Sequence, residues 1–180
     1  MNIEEVIATI KAGPNDITLY PGAGNSLIKE FEQQMQFKLP ADLKAFYQCC
    51  NGFESAEDLF RIVPLDEILE RISWDKRANR MSELKSNQFY LAEYLIYCDT
   101  WTIEIDLIEM GSYKIISDVN TCVETALTHS FAEFLVRFLT GGVFDENGLY
   151  KWGEAMLLAR ASDALSLGLR FPDAPAAPVG

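Results

Sequence analysis

Glu104 and Asp106 stand two residues apart in a stretch that alternates polar and apolar side chains, so an extended chain points both carboxylates to one face. Such a pair can divide acid and base work in glycoside hydrolysis, or hold a metal ion. A solvated sheet face needs the same residue types, and that simpler account is the commoner one. His129, just before Ser130, is the one histidine of the chain. A general base or a metal ligand needs partners, and no second imidazole exists to supply one. Gly22-Ala23-Gly24-Asn25-Ser26 runs into a helical stretch and could cradle a phosphate. It lacks the Lys-Ser/Thr of a phosphate loop and the third glycine of a dinucleotide fingerprint, and a turn with a helix cap accounts for it. No Gly-x-Ser-x-Gly elbow is present. Of the four cysteines, Cys49 and Cys50 are adjacent and Cys98 and Cys122 isolated, with no Cys-x-x-Cys. Vicinal disulfides are strained and metal sites want paired ligands, so free thiols are expected. The residues thus point to no catalytic group, no metal site and no cofactor, and the chain reads as a non-enzyme.

Charge narrows the partners further. Twenty-seven acidic residues face fifteen Lys and Arg, a net charge of −12 over 180 residues. Nucleic acid and anionic membranes are disfavoured, because both are held by clustered Lys and Arg. A basic protein partner suits this balance. No apolar run reaches the roughly 18 residues that span a bilayer. Glu4 and Glu5 lie where an export signal carries Lys or Arg, so a cytoplasmic protein is expected.

The elements that would position any site follow from periodicity. Ile3, Val6, Ile7 and Ile10 mark a first helix capped by Asn2, and an extended piece is expected near Ile17–Tyr20. A second helix begins near Asn25 or Ser26. Pro40 opens a third, with Leu43, Phe46, Tyr47 and Cys50 as its stripe and Asn51-Gly52 as its stop. Phe60–Val63 reads as a strand and Pro64 as the start of a helix. Phe89–Cys98, Thr102–Ile108 and Tyr113–Ile116 read as an antiparallel meander, turning at Asp99-Thr100 and Gly111-Ser112. Ser130 and Glu133 form a capping box before Phe131, Phe134, Leu135, Phe138 and Leu139, and Gly141-Gly142 ends that helix. Glu154–Leu165 has helical composition. The fold class expected is α+β, a mostly antiparallel sheet with helices packed against it, in one domain over 1–170 with a loose tail over 171–180.

The meander is also where acidity concentrates. Between Ser86 and Val136 stand eight acids (Glu93, Asp99, Glu104, Asp106, Glu109, Asp118, Glu124 and Glu133) against Lys114 alone. Tyr94, Tyr97, Trp101 and Tyr113 interleave with them and offer rings of the kind that anchor protein interfaces, with Tyr94 expected in the core beside Ile96 and Cys98. The candidate partner-binding residues are therefore Asp99, Trp101, Glu104, Asp106, Glu109 and Asp118.

The order of these pieces resembles the SUKH superfamily, which includes bacterial immunity proteins and the yeast cell-wall assembly regulator. The resemblance is carried by the helix before Leu39-Pro40, LPADLKAFYQCCNGFE over 39–54, FRIVPLDEI over 60–68, the strands, and SFAEFLVRFL over 130–139, within about 25–141. It implies helices on a mostly antiparallel sheet, no catalytic residues, and a protein that neutralises a toxin, often a basic nuclease. The alternative it leaves open is an intracellular scaffold or regulatory module of the same fold.

Overall fold

The computed structural model describes residues 1–13, 16–77, 84–96, 98–117 and 124–166. Helix α1 (Ile3–Ala12) starts at a reciprocal cap: Asn2 Oδ1 accepts from the Glu5 amide at 2.8 Å and Glu5 Oε2 from the Asn2 amide at 3.0 Å. Strand β1 (Ile17–Leu19) precedes α2 (Asn25–Met35) and α3 (Ala41–Cys49). Gly52, at φ 99°, turns the chain out of α3 into β2 (Phe53–Ser55) in a conformation that favours glycine. Beside it, Asn51 Oδ1 accepts from the Leu65 amide at 3.0 Å and its Nδ2 donates to Asp66 at 2.7 Å. The residue read as a helix stop thus also caps the start of the next helix, α4 (Leu65–Arg77), which follows β3 (Phe60–Ile62).

After α4 come β4 (Gln88–Tyr94), β5 (Asp99–Ile105), β6 (Tyr113–Ser117) and β7 (Thr125–Thr128), then α5 (Phe131–Gly141) and α6 (Leu149–Ser166). All seven strands form one sheet in chain order, every pair antiparallel. This is the α+β fold expected, with more strands than periodicity revealed. β2 and β7 are three and four residues long, too short to show an alternation.

One face of the sheet carries the core. Phe53, Phe60, Ile62, Phe89, Trp101, Ile103 and Ile115 meet Phe31 of α2, Phe46 of α3 and the Phe131, Phe134 and Phe138 stripe of α5, all buried. Rings interlock there: Phe46 and Phe131 meet edge-on at 4.9 Å, and Phe60 and Phe138 stack at 4.1 Å. The other face shows three cross-strand rows, Glu54–Arg61–Glu93–Thr100, Tyr90–Thr102–Ile116–Ala126 and Gln88–Glu104–Lys114. α6 lies along the β7 edge, where Arg160 Nη1 donates to the Glu124 carbonyl at 3.1 Å. An edge strand covered in this way is closed to further pairing.

The strand boundaries differ from expectation at one turn. Asp99 and Thr100 are the first residues of β5, and the chain turns back after Tyr94, where the Cys98 amide donates to the Tyr94 and Leu95 carbonyls. Leu95 and Ile96 take left-handed backbone, φ 46° and 49°. That costs on the order of 1–2 kcal/mol for each non-glycine residue. The turn went unrecognised because two apolar residues occupy positions that usually hold Asn and Gly. Ile96 and Cys98 are consequently exposed rather than buried, while Tyr94 is half-buried against Phe144 and Tyr150.

Candidate partner-binding surface

The six residues singled out from sequence do not form one site. Asp99 opens β5 and Asp106 follows its last residue, roughly 24 Å apart at about 3.4 Å per residue. Asp99 accepts a hydrogen bond from the Tyr150 hydroxyl of α6. Trp101 is a core residue: it is wholly buried among Phe60, Phe134 and Tyr150, so it offers no ring to a partner. Strand parity explains the correction, because Trp101 shares its face with Ile103 and Ile105. Tyr113 is likewise buried, its hydroxyl donating to Asp42 and accepting from the Phe131 amide at 2.7 Å. Asp118 lies outside the described residues.

Glu104 is on the outer face, but it is already engaged. Lys114 Nζ lies 2.7 Å from Oε1, and Lys85 Nζ and Gln88 Nε2 reach Oε2 at 2.9 and 2.7 Å. Burial raises its pKa, but the bonds from Lys114, Lys85 and Gln88 outweigh burial and hold the carboxyl at about 2. Glu93, toward the other end of β4 and opposite Thr100, is buried and paired through Arg61 Nε at 2.5 Å, with Arg61 also 2.7 Å from Glu67. Burial raises the Glu93 pKa, and the Arg61 bond only partly offsets this. The outer face is therefore a set of neutralised pairs rather than an acidic surface. Lys85 lies one residue outside the acidic window, and Arg61 arrives from a strand remote in sequence.

Of the residues singled out from sequence, Asp106 and Glu109 are the exposed ones, and both lie at the β5–β6 tip. Asp106 closes it: its amide donates to the Ser112 carbonyl at 2.9 Å, and its Oδ1 accepts from the Ile108 and Glu109 amides at 2.8 and 3.0 Å. Those two amide bonds lower the Asp106 pKa. A carboxylate turned back onto its own loop pushes Leu107, Ile108 and Met110 outward, and they are 61%, 95% and 92% exposed. Gly111, at φ 90°, completes the return with open space around it. Asp106 and Glu109 are both exposed, and neither forms an ion pair among the described residues.

Below the tip lies an open cleft of about 450 Å³, lined by Asn87, Glu104, Glu109, Lys114 and His129 among others. Its floor is rigid. Asn87 exchanges backbone and side-chain bonds with Ile105 at 2.9 and 2.7 Å, and Tyr113 ties the start of β6 to α3 and α5. His129 Nδ1 sits 2.9 Å from the Tyr113 carbonyl, so that nitrogen carries the proton and Nε2 is left to accept. Glu104 and Asp106 both have lowered pKa values, so this pair supplies no protonated carboxyl to act as general acid. The described residues hold no cluster of three or more metal-ligating side chains, and no described helix is long and apolar enough to cross a membrane.

Asp106 and Glu109 were legible as acids, whereas Leu107, Ile108 and Met110 were not legible as exposed. The alternation of Ile103, Ile105 and Leu107 continues past the true strand end and hides the turn. Asp-x-x-Glu followed by Met-Gly was the available signal, since Asp caps such turns with its own side chain.

No curated protein matches the chain. The model of the SMI1 / KNR4 family (SUKH-1) matches residues 22–137, from the turn before α2 through most of α5 and so across more than half of the protein. The chain therefore belongs to the SMI1 / KNR4 family (SUKH-1).

Proposed function

We propose that this protein is an immunity protein, one that binds and neutralises a cognate bacterial toxin in the cytoplasm without catalysing a reaction. The observation that carries the reading is the β5–β6 tip, where exposed Leu107 and Ile108 stand between Asp106 and Glu109, carboxylates in no ion pair among the described residues, and exposed Met110 follows them. Exposed aliphatic side chains cost solvation in the free protein and gain it back on burial, at about 25 cal/mol per Å². Asp106 and Glu109 set the partner's chemistry, favouring a basic surface such as a nuclease presents to its substrate. The net charge of −12 adds long-range attraction and fast, salt-sensitive association. Membership of a family that includes immunity proteins agrees with this, and the tip is presented on a rigid sheet rather than on a loose loop.

The test is to recover the cognate toxin by co-purification with the tagged chain, then to co-express the two and measure toxin activity and binding. Neutralisation at near-equal amounts, lost in Ile108→Ser/Met110→Ser, supports the proposal. Full toxin activity in the presence of excess folded protein would exclude it and favour a regulatory module of the same fold.

A further inference from the structure

At the other end of the sheet, roughly 20 Å from the tip along β4 and β5, lies a second exposed apolar surface. The β2–β3 turn, the β4–β5 turn and the loop after α5 converge there. The Leu95 amide donates to the Leu59 carbonyl at 3.1 Å, and Asp58 Oδ1 accepts from the Val143 amide at 3.4 Å. Phe144 packs on Tyr94 at 5.0 Å and on Tyr150 at 4.9 Å, yet keeps 55% of its surface exposed, and Ile96, two residues after Tyr94, is 86% exposed. Leu59 and Leu95 complete the patch as exposed residues.

Three of its residues adopt left-handed backbone: Leu59 at φ 52°, Leu95 at 46° and Ile96 at 49°. Asn or Gly would hold the same turns with less strain, and a β-branched residue is the least suited of all. The chain thus carries backbone strain at apolar residues that stay largely exposed, as Ile96 does, or about half exposed, as Leu59 and Leu95 do. Strain of this kind collects at working surfaces, where it is offset by the surrounding fold.

The rim selects the occupant. Segments 56–59, 95–99 and 142–148 contain Glu57, Asp58, Asp99, Asp145 and Glu146 and no Lys or Arg. A second copy of this chain would bring the same carboxylates face to face, which like-charge repulsion disfavours. We infer that this end is a second docking surface, separate from the β5–β6 tip, for a protein segment that sets basic side chains beside an apolar anchor. The apolar side chain would rest on Ile96 and Phe144, with its flanking cations against Glu57, Asp145 and Glu146.

The test is an amide-resonance titration of the full chain with a short synthetic peptide alternating arginine and leucine. A second peptide has every arginine replaced by glutamine. The expected result is movement of the resonances of 57–59, 94–96 and 143–150 by the arginine peptide only. Leu95→Asn/Ile96→Gly should weaken that binding about tenfold while raising Tm by about 2–4 °C or more, because it relieves the turn as it removes the anchor. Leu107→Ser/Ile108→Ser should leave these shifts in place, which separates this surface from the tip used for the toxin. Shifts confined to 106–112, an equal response to the glutamine peptide, or a dimer in the absence of peptide that Leu95→Asn/Ile96→Gly abolishes would each overturn the inference.

Discussion

Replacing Glu104 by Gln distinguishes a paired carboxylate from a spare one, and the two cases differ in sign. In a chain of net charge −12, removing a free surface carboxylate relieves self-repulsion and leaves stability unchanged or slightly higher. Glu104 instead holds Lys114 at 2.7 Å and Lys85 at 2.9 Å, so its loss takes away the carboxylate paired with Lys114 and leaves Lys85 only its longer contact to Glu124, at 3.4 Å. Its pKa falls from 4.5 to about 2 on folding. At about 1.36 kcal/mol per unit this bounds the contribution near 3 kcal/mol. The two lysines are 37% and 56% exposed, and solvent screening brings the figure down to about 1–2 kcal/mol. Because the folded pKa is depressed, the contribution is complete above pH 4.5 and disappears as pH falls toward 2. Urea unfolding followed by tryptophan fluorescence should show Glu104→Gln less stable than wild type at pH 7. The midpoint should fall by about 0.5–1 M at an m-value of about 2 kcal/mol/M. The gap should close as pH approaches 2. A gap that is absent at pH 7, or that stays constant down to pH 2.5, refutes the pairing.

Other expectations follow from the same geometry. Trp101→Ala should cost about 3–5 kcal/mol of stability while leaving the partner affinity of the folded fraction unchanged, as denaturant titration and calorimetry would show. Arg61→Met should cost about 3–5 kcal/mol, because it strands buried Glu93, and adding Glu93→Gln should restore most of it. Burial already raises the Glu93 pKa, so the single variant should gain stability as pH falls from 7 toward 5, and thermal melts across that range check the sign. Asp106→Ala should loosen the tip through loss of two side-chain bonds, read as faster amide exchange at Ile108 and Glu109 with little change in Tm.

The sequence was most informative where local chemistry dictates structure. The Asn2–Glu5 box is present, Ser130 accepts from the Glu133 amide at 3.2 Å, and the α5 stripe is buried as its spacing requires. At Ser130 the reciprocal half differs, for the Glu133 carboxylate accepts from the Thr128 hydroxyl instead. Sequence reasoning failed where structure depends on residues far apart in the chain. Arg61 reaches Glu93 across 32 positions, and Tyr113 reaches Asp42 across 71, so neither pairing leaves a local mark. The acids of the meander were legible as charge but not as pairs. The same blindness placed Trp101 on the surface, since Asp99-Thr100 resembles a turn and shifts the apparent start of the strand. At the tip, Leu107 and Ile108 continue an apolar pattern whose supporting backbone has already turned away.

The central claim is that the β5–β6 tip captures a toxin, and calorimetric titration of the co-purified toxin with wild type and Ile108→Ser/Met110→Ser tests it most directly. Removing two fully presented aliphatic anchors should raise Kd by at least about a hundredfold, at about 1.5–3 kcal/mol for each buried side chain, with the Tm of the free protein unchanged. Equal affinity for both proteins, with the toxin still bound and still inactive, would contradict it.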